Sequence, residues 1–212
     1  MTESFFEDPK DWQELLCRVF LDRADLAERY HSLLANQGID WGLLGSREAN
    51  RLWSRHILNS AIIESLIPAE ASVIDVGSGA GLPGLPLAIA RKDIKVTLVD
   101  SLLRRVTFLE MVVHELGLEE QVEVVRSRAE ELTSCEDIVV ARAVAPLDKL
   151  APLCEPLMNE MILALKGENA EAELAQAQPI LKTLNLSASI IKLSIASGCP
   201  PATVVRITRQ TG

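Results

Sequence analysis

The stretch VIDVGSGAGLPGLPLAIA, residues 73–90, constrains the fold of this chain more than any other. A β-branched run, Val73 to Val76, gives way to Gly77, Gly79, Gly81 and Gly84, with Pro83 and Pro86 among them, before an apolar run resumes. Glycine frees the backbone from the Cβ restriction and proline supplies no N–H, so a strand must stop here before a helix starts. Such a joint belongs to an α/β sheet.

The rest of the chain follows suit from residue 72 onward. Short β-branched runs predict strands at 72–77, 95–100, 122–126, 137–142, 161–166, 188–193 and 202–207, with helices at about 84–91, 102–117, 147–157 and 170–184. The alternation predicts a Rossmann-like α/β domain, a seven-stranded and mostly parallel sheet with helices on both faces, over residues 69–212. Residues 1–68 read as an N-terminal helical extension. Asp8-Pro9 opens a first helix in which Trp12, Leu15, Leu16, Val19 and Phe20, then Leu26, Tyr30, Leu33 and Leu34, recur at helical spacing until Gly38. Ser46 is placed to cap a second helix that Pro68 stops. No Gly/Ser/Pro linker separates the parts, so they are expected to share a core.

Composition narrows the function classes. At 48% hydrophobic and 24% charged the chain is globular, and no apolar run approaches the roughly 18 residues of a membrane span. The acidic start lacks a signal-peptide layout, and Cys17, Cys135, Cys154 and Cys199 are scattered without metal-ligand spacing. A cytoplasmic protein without a metal site is expected. The net charge of −9 argues against a broad nucleic-acid surface, so any RNA contact must be a local basic patch.

The glycine run has two registers. Residues 79–84, GAGLPG, match the dinucleotide pattern G-x-G-x-x-G, and Asp100 follows 21 positions after Gly79. The other register starts earlier, at Asp75-Val-Gly77-Ser-Gly79-Ala-Gly81, an acid-x-G-x-G-x-G pattern of S-adenosyl-L-methionine (AdoMet) enzymes. The strand closes at Gly77, too early for the dinucleotide register. A carboxylate from Asp75 in the site would repel pyrophosphate but hold the ammonium of AdoMet, and Pro83 and Pro86 remove donors that a phosphate site needs. The AdoMet register is preferred. Asp100, ending the second strand, is placed for ribose hydroxyls or as a helix cap. Ala129 and Glu130 follow the third strand, where adenine contacts fit, and Arg142 ends the fourth among small apolar residues.

The chain has neither the Asn/Asp-Pro-Pro-aromatic tetrapeptide of exocyclic-amine methylation nor a Pro-Cys nucleophile. An acceptor such as guanine N7 needs neither, because its lone pair can attack with no proton to remove; no catalytic base is expected. In the extension Arg47, Arg51 and Arg55 stand at i, i+4 and i+8, a stripe able to engage phosphates, or else a solvated face paired with Glu48 or Asp40. Leu52, Trp53, Ile57, Ile63 and Ile67 form an adjoining face suited to packing on the sheet, with His56 between the two. Arg104 and Arg105 beside Asp100 extend the positive rim.

The stretches RHILNS, VIDVGSGAGLPGLPLAIA, VTLVDSLLRRVTFLE, SRAEEL, ARAVAPLDKL and LALKGENAEAEL, in this order and spacing, together resemble the RsmG/GidB family of bacterial 16S ribosomal RNA guanine-N7 methyltransferases, over about residues 47–184. The resemblance implies a class I AdoMet-dependent fold and methylation of one guanine in the 530 loop of 16S rRNA, with S-adenosyl-L-homocysteine as the product. The substrate would be 16S rRNA, the small subunit or an assembly intermediate, with no stable protein partner and no membrane. Matching motif positions makes Gly77, Leu82, Ala129, Glu130 and Arg142 the AdoMet contacts, and sets Arg55, His56 and Lys166 on the RNA side. The chain departs from the family pattern at Asn59, where Asp is usual, and in ANQGIDWGLLGSRE and LMNEMILALKG. The competing readings are a small-molecule methyltransferase of the same fold, a nicotinamide-dependent oxidoreductase and an AdoMet-binding protein without activity.

Overall fold

The computed structural model describes residues 12–195 and 201–210. Asp8-Pro9 and Cys199 lie outside them. Its sheet is built from β1 (Ser72–Val76), β2 (Lys95–Asp100), β3 (Val122–Arg126), β4 (Glu136–Arg142), β5 (Met158–Lys166), β6 (Leu186–Leu193) and β7 (Ala202–Arg209), in the order β3-β2-β1-β4-β5-β7-β6. The first five strands run parallel, and β7 pairs antiparallel with both β5 and β6. β1 and β4 are central and nearly continuous in Val and Ile, as burial on both faces requires.

Helices α1 (Trp12–Phe20), α2 (Ala24–Leu33), α4 (Gly84–Ala90) and α5 (Leu103–Leu116) cover one face of the sheet. Helices α6 (Leu147–Cys154) and α7 (Ala170–Thr183) cover the other. One hydrophobic cluster joins Leu16, Phe20, Tyr30, Leu52 and Ile57 of the extension to Val73, Leu98 and Phe108 of the sheet layer, so extension and sheet share a core on that face.

The second helix of the extension departs from the expected regular winding. It is a 3₁₀ segment (Ser46–Arg51), a π segment (Leu52–Ile57), one α turn, α3 (Leu58–Ala61), and a final 3₁₀ segment (Ile62–Leu66). Gly45, not Ser46, is the N-cap, and no side-chain capping bond forms. The first helical run also does not end at Gly38, which keeps a helical φ inside a π segment (Leu34–Gly38); the left-handed turn comes at Gly42 (φ 65°). Leu52, Trp53, Ile57, Ile63 and Ile67 are buried, so packing on the sheet overrides the regular helical period. The predicted helix over 147–157 is likewise α6 plus a 3₁₀ turn (Glu155–Leu157), which Pro156 enters near its start.

Candidate active site

The carboxyl ends of β3, β2, β1 and β4 lie side by side in that order, and each carries a residue singled out by its spacing in the sequence. Gly77 turns the chain out of β1 with φ 71°. The Gly77 and Ser78 N–H groups donate to Val99 O at 2.9 and 3.0 Å, hooking the turn onto β2. Ser78 Oγ donates to Asp75 O at 2.8 Å and accepts the Val99 N–H at 3.0 Å. Further along, the Gly81 N–H donates to Ser78 O at 2.7 Å and Leu82 is buried at the base of the turn. The turn is also tied to the extension, since the buried Tyr30 hydroxyl on α2 donates to Ala80 O at 2.8 Å. A Cβ on Gly77 would lie 2.8 Å from Val144 Cγ2, so the loop after β4 closes down on the turn.

Asp75 is where the structure corrects the sequence reading. Expected to project into the site and hold an ammonium group, it is 0% exposed and lies beneath the turn. Its Oδ2 accepts the Gly84 N–H at 2.9 Å, at the start of α4, while Oδ1 has no hydrogen-bond partner among the described residues. Burial pushes this carboxyl up to about 7, against the Gly84 hydrogen bond. The same bond favours the AdoMet register. Its helix-start donor, the Gly84 N–H, is donated to a carboxylate inside the protein and is not offered to a pyrophosphate.

Asp100 ends β2 almost fully buried. Its Oδ1 accepts the Leu102 N–H at 3.0 Å, and its Oδ2 accepts the Gly79 N–H and an Arg105 N–H, each at 3.1 Å. It braces the glycine turn and the start of α5 together, with Arg105 drawn onto it as a partner. The Ser127 N–H donates to Asp100 O at 3.3 Å, bringing the 3₁₀ turn Ala129–Glu131 alongside, with Ala129 buried and the Glu130 side chain exposed. This edge presents a bare glycine turn, the Asp100 carboxylate already engaged by Leu102, Gly79 and Arg105, and the exposed Glu130 side chain. An exposed carboxylate beside a bare turn suits a cationic, hydroxyl-bearing ligand such as AdoMet.

Beyond β4 a cavity of about 850 Å³ opens beside the turn, lined by Arg51, Arg55, Asn59, Arg142, Val144 and Lys166 among others. Arg142, expected at the cofactor, aims its guanidinium toward the extension. It donates to Ser60 Oγ at 3.0 Å, Arg55 O at 2.9 Å, His56 O at 3.3 Å and His56 Nδ1 at 3.1 Å. His56, expected on the RNA side, is buried, with its other ring nitrogen 2.7 Å from Glu48 Oε2. Burial, then Arg142, hold its pKa down to about 4. Lys166 is also not a free surface cation: Nζ donates to Ala145 O at 2.7 Å and pairs with Glu173 at 2.8 Å, holding the loop after β4 against α7.

Arg47 leaves the expected stripe. In a 3₁₀ segment positions i and i+3 eclipse, so Glu48 falls beside Arg51, at 3.0 Å. Arg47 is exposed outside the cavity lining. Spacing marked Tyr30 only as part of an apolar stripe and gave no sign of Val144, Ser60 or Glu173. Only the last three letters of RHILNS pointed toward Ser60, as part of a motif.

The comparisons with known proteins match this geometry. A family model described as rRNA small subunit methyltransferase G matches residues 23–197. The ribosomal RNA small subunit methyltransferase G of Mycobacterium leprae strain TN is 50% identical over 200 residues, covering 91% of this chain and 81% of that protein. The protein of the same description from Rhodococcus jostii is 45% identical over 212 residues, covering 95% and 92%. The chain belongs to the rRNA small subunit methyltransferase G family. Solved structures share its class I methyltransferase fold. Magnesium protoporphyrin IX methyltransferase from Synechocystis PCC 6803, solved with bound SAM, superposes with a TM-score of 0.59 at 15% identity, covering 88% of this chain and 98% of that one. Ribosomal protein L11 methylase from Lactobacillus delbrueckii subsp. bulgaricus gives 0.57 at 18% identity, covering 73% and 77%. Among the described residues no helix is long and apolar enough to cross a membrane, and no His/Cys/Asp/Glu group is arranged for a metal.

Proposed function

We propose that this chain transfers a methyl group from AdoMet to N7 of one guanine in the 530 loop of 16S ribosomal RNA, in the small subunit or a precursor of it, in the cytoplasm. One observation carries the reading: the cavity beside the glycine turn brings together Arg51, Arg55, Arg142 and Lys166, with Glu168 and Glu173 in the same lining and Glu48 behind Arg51 and Arg55, in a chain whose net charge is −9. A local excess of cations next to a cofactor edge suits a nucleic-acid backbone entering an otherwise repulsive surface. A small-molecule methyltransferase of the same fold calls for an apolar lid over the pocket, and the polar lining supports RNA instead.

AdoMet supplies an electrophilic methyl on a sulfonium. The chain's own residues would hold it: Gly77 to Leu82 shape the turn, Asp100 braces that turn through the Gly79 N–H, Ala129 and Glu130 would lie on the nucleoside side, and Val144 packs against Gly77. Arg51 and Arg55 engage phosphate on the cavity side. Arg142 and His56 brace the wall between the two sites, and Lys166 with Glu173 holds the loop that carries Val144. With an unprotonated acceptor nitrogen no side chain need take a proton, and orientation alone can supply roughly 7–11 kcal/mol of barrier lowering. The test is a modification map of rRNA from cells lacking the protein. Loss of a single 7-methylguanosine, restored by the intact chain and not by Arg55→Ala, is expected; an unchanged map overturns the reading.

A further inference from the structure

Two arginines of the cavity and the buried His56 converge on one carboxylate, and Arg142 reaches it only through His56. Glu48 Oε1 lies 3.0 Å from Arg51 Nη2, and Oε2 lies 3.6 Å from Arg55 Nε and 2.7 Å from His56 Nε2. The second ring nitrogen of His56, Nδ1, is 3.1 Å from Arg142 Nη2. Arginine has donors only, so Nδ1 must accept, and the single ring proton sits on Nε2 and is donated to Glu48. The bonds therefore run in one direction, Arg142 to His56 to Glu48, while Arg51 and Arg55 reach the same carboxylate directly. His56 is 8% exposed, and the Glu48 side chain only 22%.

We propose that Glu48 is a positioning residue that presets the Arg51 and Arg55 guanidinium groups in one arrangement for the RNA and, through His56, fixes the Arg142 wall behind them. The inference rests on the reading that this cavity receives RNA. Its physical basis is preorganisation. Long side chains that must be ordered on binding cost affinity for the correctly placed complex, up to about tenfold each, and a shared buried-edge carboxylate removes that cost in advance. Glu48 also offsets positive charge, so it weakens bare attraction to phosphate while sharpening geometry. The two effects have opposite signs, and this makes the role testable. Loss of Glu48 leaves RNA attraction equal or stronger and turnover slower, whereas a simple phosphate-contact residue would weaken attraction when lost.

The test uses the full chain and its RNA substrate, with Glu48→Gln, His56→Gln, the double variant and Arg55→Ala. Steady-state kinetics give kcat and KM for RNA, calorimetry gives AdoMet binding, and all assays run well below the melting temperature of the least stable variant. For Glu48→Gln the expected result is a kcat lowered about tenfold, a KM for RNA unchanged or lower, and AdoMet binding retained. The double variant should fall no further than its worse single, because both act through one hydrogen-bonded chain. His56→Asn keeps an acceptor near Nδ1 facing Arg142 and should recover part of the kcat lost in His56→Gln. A wild-type kcat in Glu48→Gln, strictly additive losses, or nitrogen chemical shifts placing the His56 proton on Nδ1 would each overturn the proposal. Arg55→Ala separates the levels. An unchanged KM for RNA there overturns the cavity reading itself, whereas a raised KM beside an intact kcat in Glu48→Gln overturns only the positioning role.

Discussion

The carboxylate of Asp75 accepts the backbone N–H of Gly84 at 2.9 Å, and through that bond β1 closes onto the start of α4 beneath the glycine turn. An acidic residue that the pattern marks as a ligand contact is instead the internal fastener of the turn. It fixes the turn's shape from below, with Gly77 and Gly79 half-buried above it.

Gly84→Ala should therefore destabilise the protein. The added Cβ would meet Leu98 and lie 2.8 Å from Asp75 Oδ2. Alanine is the better helix former, so any loss isolates the clash; about 1–3 kcal/mol is expected from overpacking. Chemical denaturation measures it, and an unchanged or higher midpoint would contradict the packing described.

Stability between pH 4 and 7 should carry two opposed slopes. Asp75 is raised from 3.8 to about 7 by burial, so its contribution is fully present below about pH 4 and is lost as pH rises through 7. His56 is lowered from 6.5 to about 4, so the unfolded chain takes up its proton first, and stability is lost as pH falls from about 6.5 to 4. Each slope is at most about 1.4 kcal/mol per pH unit, and they oppose one another where the windows overlap. Asp75→Asn should expose a stability that rises with pH in that window, and His56→Gln one that falls. Denaturation series at half-unit pH steps would show parallel curves if either buried group were unperturbed.

Gly77→Val should abolish AdoMet binding in a chain that still melts cooperatively. The residue has φ 71°, which a β-branched side chain resists, and even a Cβ reaches 2.8 Å from Val144. Isothermal titration with AdoMet is the measurement, and retained affinity would contradict the turn geometry.

Titration of the intact chain should show AdoMet and S-adenosyl-L-homocysteine binding and NAD failing to bind. The Gly84 N–H that a pyrophosphate would require is already donated within the protein.

Lys166→Met should cost about 2 kcal/mol of stability and slow RNA turnover. It leaves Glu173, whose side chain is 27% exposed, without its cation, and removes the donor to Ala145 O. Glu173→Gln should cost a comparable amount: its amide oxygen can still accept from Lys166, but the 8%-exposed ammonium loses its counter-charge. Thermal melts at low and high salt would test this, since a pair with one partner 8% exposed should respond weakly to ionic strength.

Local rules carried the sequence reading a long way. Alternating β-branched and amphipathic runs, the glycines of the turn and the residues at successive strand ends all follow from backbone freedom and from the two side-chain periods, which are properties of neighbouring residues. They were enough to lay out the sheet and to place Gly77, Asp100, Ala129, Glu130 and Arg142 along one edge. Other features depend on partners far apart in the chain. The Arg47, Arg51 and Arg55 stripe was read at 100° per residue, but burial of Leu52, Trp53 and Ile57 winds the segment as 3₁₀ and then π, which swings Arg47 out and Glu48 in. His56 stood between the two faces with its role open, because its partner Arg142 is 86 positions away. The amino-acid order by itself determined where strands stop and which residues crown them. Only packing of the extension on the sheet decided which way those side chains point, because a buried polar group must find its partner wherever the fold brings one.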